Sequence, residues 1–120
     1  MALLKPTREQ IIQAFKTEDE GPVVFHNWLK FKPDGGAEAF QTYTEKFNKL
    51  MGPKGAKVLY QGNCQMTLID DVEWDHILIV EYPNLNVWKE MIQCEAYQKI
   101  EHHRAEALTD SRLTVTKQVT

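Results

Sequence analysis

Residues 74–113, WDHILIVEYPNLNVWKEMIQCEAYQKIEHHRAEALTDSRL, decide how this chain folds. Trp74 to Tyr82 reads as the most buried strand, centred on Ile77-Leu78-Ile79-Val80. Pro83 breaks it, and Asn84 is placed to cap a helix. Val87, Trp88, Met91 and Ile92 form the apolar stripe of that helix. A second helical segment, from about Cys94 to Leu108, puts Tyr97, Ile100, Arg104 and Leu108 on one side. Asp110 and Ser111 then turn the chain into a last strand, Arg112 to Val119, with Leu113, Val115 and Lys117 on one face.

Upstream, Val23 to Phe31 is the first strand, closed by the turn cluster Pro33-Asp34-Gly35-Gly36. Phe25, Asn27, Leu29 and Phe31 share one face; Val24, His26, Trp28 and Lys30 share the other. Both faces are largely apolar, so both need a cover. Ala37 to Met51 is an amphipathic helix built on Phe40, Tyr43, Phe47 and Leu50, ended by Gly52, Pro53 and Gly55. Ala56 to Ile69 reads as a long strand bent at Gly62, followed by the acidic turn Asp70-Asp71. Ahead of all this, Thr7 and Gln10 have capping-box spacing for a short helix carrying Ile11, Ile12 and Phe15, which ends in the acidic run 18–20 before Gly21-Pro22.

The order β-α-β-β-α-β defines an α+β, ferredoxin-like fold, a four-stranded antiparallel sheet with both helices on one face. Residues 1–20 are an N-terminal helical appendage and 21–120 the main domain. Phe25, Leu29, Ile77 and Ile79 are expected on the bare face of the sheet. Such a face is buried when two copies close sheet against sheet, making a homodimeric α/β barrel.

Composition bounds the function. At 120 residues, 42% apolar and 26% charged, the chain is one ordinary globular domain. A net charge of −3 without basic clusters offers nothing to nucleic acid. No apolar run approaches the ~18 residues that span a bilayer, and MALLKPTREQ is no secretory leader. Cys64 and Cys94 are isolated and read as reduced thiols, pointing to the cytoplasm. No GxGxxG or phosphate loop is present, so no nucleotide cofactor is expected.

The segments GPVVFHNWLKF (21–31), GAKVLYQG (55–62), EWDHILIVEYP (73–83) and M-x5-YQKIEHHRAEALTDSRL (91–113) resemble a family of small bacterial proteins described only as a domain of unknown function, within the dimeric α/β-barrel superfamily. The resemblance runs from Gly21 onward and is most specific around His103-Arg104 and residues 110–113. It implies the fold, the homodimer and a cavity inside each half-barrel, and it carries no substrate. The wider superfamily includes cofactor-free monooxygenases, isomerases, decarboxylases and haem-degrading enzymes, so the likeness is one of fold. The haem-degrading branch uses an Asn, a Trp and a His. Asn27 stands at its Asn position, but Tyr82 replaces the strand-end Trp and Glu101 the helical His, so haem is not implied and no cofactor is expected.

Six residues are the candidates for chemistry. Asn27, polar among apolar neighbours, would polarise a ligand carbonyl or enolate oxygen, or else serve as a structural amide. Asp75 alternates with Ile77 and Ile79; at the mouth of an apolar barrel it would be a desolvated general base, and otherwise an exposed strand-end carboxylate paired with Lys or Arg. His103 is the second candidate for proton transfer, being in the motif that carries the resemblance. Arg104 would hold a substrate carboxylate, or else pair with Asp110 to fix the final turn. Tyr82 belongs at a cavity edge, and Tyr60 is grouped with it as a substrate contact; Tyr43 and Tyr97 read as core. His102 and His103 step about 100° apart on a helix, so a shared metal is not expected.

Together these residues suggest a cofactor-independent enzyme (proton transfer, isomerase or monooxygenase type) on a small carbonyl or enol compound. The alternative is a non-catalytic metabolite-binding or structural homodimer.

Overall fold

Val23–Phe31 forms β1, and the other elements are arranged around it. The computed structural model describes residues 3–119. The elements run α1 (Arg8–Lys16), β1, α2 (Gly36–Met51), a 3-10 turn at Gly52–Lys54, β2 (Lys57–Asn63), β3 (His76–Tyr82), α3 (Leu85–Gln93), α4 (Glu95–Ala107) and β4 (Leu108–Thr116). The sheet order is β2-β3-β1-β4 with every pairing antiparallel. This is the α+β, ferredoxin-like arrangement, because β1 and β3 are central and the helices cross one face.

Local signals act where they stand in the sequence. Thr7 and Gln10 make a reciprocal capping box at α1. The Asn84 side chain accepts from the Val87 amide at 3.0 Å and starts α3. Gly55 sits at φ +96° after the 3-10 turn, and a Cβ there would lie 2.6 Å from Pro83 Cγ, so the turn and the strand corner require glycine. The helices seal one face of the sheet. Val23, Phe25 and Leu29 of β1 and Leu78 and Val80 of β3 pack against Phe40, Phe47 and Met51 of α2, Met91 of α3 and Tyr97 of α4.

Four expectations are corrected. The register pairs Phe25 with Val80 and Leu29 with His76, whereas His26 faces Ile79 and Trp28 faces Ile77. Paired residues share a face. Phe25 and Leu29 therefore lie under the helices, and the open face carries Val24, His26, Trp28, Ile77 and Ile79, all half-buried in the single chain. The second strand stops at Asn63, with a register shift between Val58 and Tyr60, and residues 64–75 form a loop. That loop is rooted on the open face, where Lys30 Nζ donates to Glu73 O at 2.9 Å and Arg112 lies over the Trp74 ring; it exposes Leu68 and Ile69 almost fully. The last strand begins at Leu108, so Asp110 and Ser111 lie within it and make no turn. α1 ends at Lys16, capped by Thr17, ahead of the acidic run.

Candidate functional site

Asn27 is the polar break in the buried face of β1. Its Nδ2 donates to Leu78 O on β3 at 3.2 Å, and its Oδ1 accepts from Arg104 Nη2 of α4 at 3.2 Å. The amide is thus fixed at both ends, and it positions a half-buried guanidinium over the sheet. Among the described residues Arg104 has no carboxylate within ion-pair distance.

A cavity of about 60 Å³ opens beside this pair, between the sheet and the helices. Three tyrosines reach it, one each from α2, β3 and α4: Tyr43, Tyr82 and Tyr97. The Tyr43 and Tyr97 hydroxyls are 2.9 Å apart, so one donates to the other and the acceptor keeps a proton to give. The Tyr82 hydroxyl donates to the thioether of Met91 at 3.8 Å, a weak acceptor that a ligand oxygen would displace. Burial pushes all three phenols above their ordinary value, with Tyr97 adding to the effect at Tyr43 and Tyr82. They therefore remain protonated donors at neutral pH. Among the described residues no carboxylate or imidazole lines this cavity. Its chemistry is one-sided, a cation and phenol donors converging on a small apolar space, which suits an oxyanion or carbonyl oxygen.

Of the six sequence candidates, the fold brings Asn27, Tyr82 and Arg104 together. The other three stand elsewhere. Asp75 is exposed, and its Oδ2 accepts from the Phe31 amide at 2.8 Å; its partner is backbone, where a Lys or Arg was the expected structural alternative. Tyr60 lies on the open sheet face, 57% exposed, with its ring over Gly62. His103 is half-buried on α4 and does not line this cavity. Its ring centroid is 4.0 Å from that of His102, so the expected divergence of the two imidazoles is not met. Side-chain torsions offset the helical step. With Glu106 they place three donor atoms within 4.8 Å of one another, a looser spread than the ~3.4 Å between ligands 2.1 Å from a tetrahedral zinc. The expected Arg104–Asp110 pair is also absent: Asp110 bonds Arg112 at 2.7 Å and the Leu3 amide at 2.8 Å.

Tyr43 and Tyr97, expected as core residues, line the cavity. The one available signal was that a buried phenol needs a partner, and the partner is 54 residues away.

A family model described as "Domain of unknown function (DUF1330)" matches residues 35–118. A crystal structure of a protein of unknown function from Rhodopseudomonas palustris is 32% identical, with a TM-score of 0.91 over 100% of this chain and 99% of that one. A dimeric ferredoxin-like protein of unknown function from Jannaschia is 7% identical, with a TM-score of 0.65 over 82% of this chain and 100% of its own. A hydroxynitrile lyase from Passiflora edulis is 8% identical, with a TM-score of 0.64 over 84% and 97%. The last two likenesses are of fold alone. No curated protein matches the sequence. Among the described residues no helix is long and apolar enough to cross a membrane.

Proposed function

The chain belongs to the DUF1330 family, a domain of unknown function, and from that premise we propose that it is a homodimeric α/β-barrel protein that binds a small carbonyl or enol compound and acts on it without a cofactor. The observation that carries this reading is Arg104, a half-buried cation held by Asn27 beside a cavity lined with protonated phenols. Isomerisation and cofactor-free oxygenation of such compounds share one requirement: an oxyanion must be stabilised as it forms. Arg104 supplies the charge. Tyr82 and whichever of Tyr43 and Tyr97 keeps its proton supply the hydrogen bonds.

The homodimer reading is supported by the open sheet face, where Trp28, Ile77 and Ile79 leave apolar surface, and by the exposed apolar tip at Leu68 and Ile69. Proteins of similar fold are described as dimeric. A second copy of the sheet would bury this surface.

A second reading, non-catalytic binding of a metabolite, is favoured by one observation. Asp75 and His103, the groups expected to move a proton, do not line the cavity. Proton NMR of 2-oxobutanoate in heavy water tests both. Line-broadening by the protein, lost in Arg104→Gln, establishes binding at this cation. Accelerated deuterium exchange at C3 then identifies proton transfer; binding without exchange favours the non-catalytic protein. If broadening is the same in Arg104→Gln, the site is misassigned.

A further inference from the structure

A second space of about 660 Å³ lies beneath the N-terminal segment, between α1, β4 and Trp88 of α3. It is of the size that holds small-molecule ligands, roughly 300–1,000 Å³, whereas the inner cavity has room for a head group only. Phe25, Trp88, Arg104 and Leu113 line both spaces, so Arg104 stands at their junction.

The construction of α1 is unusual for a packed helix. It is amphipathic, yet none of its residues is buried. Gln10, Ile11, Ala14 and Thr17 fall on the face turned toward the body, and they meet this chamber. A nine-residue helix does not hold itself together in water. The tethers of the segment fall at its two ends. At the start, the Leu3 amide donates to Asp110 Oδ1 at 2.8 Å and Ser111 Oγ donates to Leu3 O at 2.6 Å. At the finish, the buried Lys89 ammonium donates to Phe15 O and Thr17 O, and Lys117 pairs with Asp19. The helix is fastened across a space.

The walls also carry a charge preference. Lys5, Arg104, Arg112 and Lys117 line the chamber against one carboxylate, Asp19, in a chain whose net charge is −3. Lys117 is matched by Asp19 and Arg112 by Asp110, which leaves Arg104 and Lys5 without a carboxylate partner among the described residues.

We propose that this chamber is the main ligand-binding space and takes an amphipathic carboxylic acid. The carboxylate lies on Arg104 at the junction, and the alkyl or aryl body lies under α1, between Ile11 and Ala14 on one side and Trp88 and Val115 on the other. The proposal rests on the reading of Arg104 as an oxyanion holder and extends it to the class of molecule.

The test is isothermal titration of the full chain with straight-chain carboxylates from butanoate to decanoate. Affinity is expected to rise by about fourfold per added methylene until the chamber is full. Ala14→Trp, which puts an indole into the chamber, should erase the advantage of decanoate over butanoate. Val115→Trp repeats this from the opposite wall without touching α1, and Ile12→Trp, at an exposed position outside the lining, should change neither acid. Affinity flat with chain length, or a decanoate advantage that survives both chamber-filling variants, overturns the chamber proposal; butanoate binding lost in Arg104→Gln then still supports the oxyanion reading. Decanoate binding unchanged in Arg104→Gln but lost in both chamber-filling variants sinks the head-group assignment and keeps the chamber. If no carboxylate binds at any length, both fall, as they would if a second subunit filled the space.

Discussion

Arg104 Nη2 donates to Asn27 Oδ1 at 3.2 Å, tying the last helix to the first strand across 77 residues of chain. The contact is local to neither element. It sets a cation over the central strand pair, and the same amide bonds Leu78 O on β3. Asn27→Ala removes both bonds and frees the guanidinium. A loss of about 1–2 kcal/mol is expected in urea unfolding, with weaker carboxylate binding. Asn27→Asp should instead pair with Arg104 and compete with any anionic ligand, so binding falls, and it still loses the donor to Leu78 O and the stability that bond contributes; unchanged affinity in both variants would contradict the positioning role.

The phenol pair predicts a non-additive cycle. Tyr97→Phe leaves the buried Tyr43 hydroxyl without its partner, which costs about 1–3 kcal/mol. Tyr43→Phe with Tyr97→Phe removes both polar groups and should cost less than the two single changes summed. Spectrophotometric titration should show Tyr43, Tyr82 and Tyr97 failing to ionise near pH 10, since burial raises all three above that value.

The N-terminal tethers should weaken in acid. Asp110 is desolvated by burial, but the Leu3 and Ser111 amides and Arg112 outweigh that and hold it below its ordinary 3.8. Asp19 is lowered chiefly by its bond to Lys117. A depressed carboxylate contributes stability that is present above its unfolded value and lost as pH falls through the folded one. Hydrogen-exchange protection of α1 should therefore drop below about pH 4 while β1 stays protected. In Asp110→Asn the tether should be weakened already at pH 7, with a smaller acid step.

Lys89 is buried with its ammonium on two carbonyls at the end of α1. Lys89→Met keeps most of the packing volume and removes the donors. The expected result is loss of circular-dichroism helicity equivalent to about two turns, with the sheet and its core unfolding transition retained. A protein that loses its whole cooperative transition would show that α1 is integral to the core.

The open face predicts assembly. Ile79→Lys places an ammonium among Val24, His26 and Trp28 on that face. Sedimentation velocity should give a dimer for the parent chain and a monomer for the variant. A monomeric parent chain would refute the dimer reading.

What depends on near neighbours is legible in the residue order. Periods of two and near 3.6, the capping signals at Thr7 and Asn84 and the break at Pro83 specified the elements and their order, and that order specified the ferredoxin-like sheet. It also determined which strand residues share a face, since alternation puts Asp75 with Ile77 and Asn27 with Phe25. It left open which of the two faces meets the helices, because a period-two pattern is symmetric to exchange of faces when both are apolar. Only the tertiary structure broke that symmetry. Once α2, α3 and α4 covered the face of Phe25 and Leu29, Asn27 became a cavity residue, and Asp75 and Tyr60 fell outside it. The same holds for the partners of Arg104, of Tyr43 and of Lys89. Each is tens of residues away in the chain and is fixed by helix placement on the sheet, a sum of many packing contacts that no local pattern encodes.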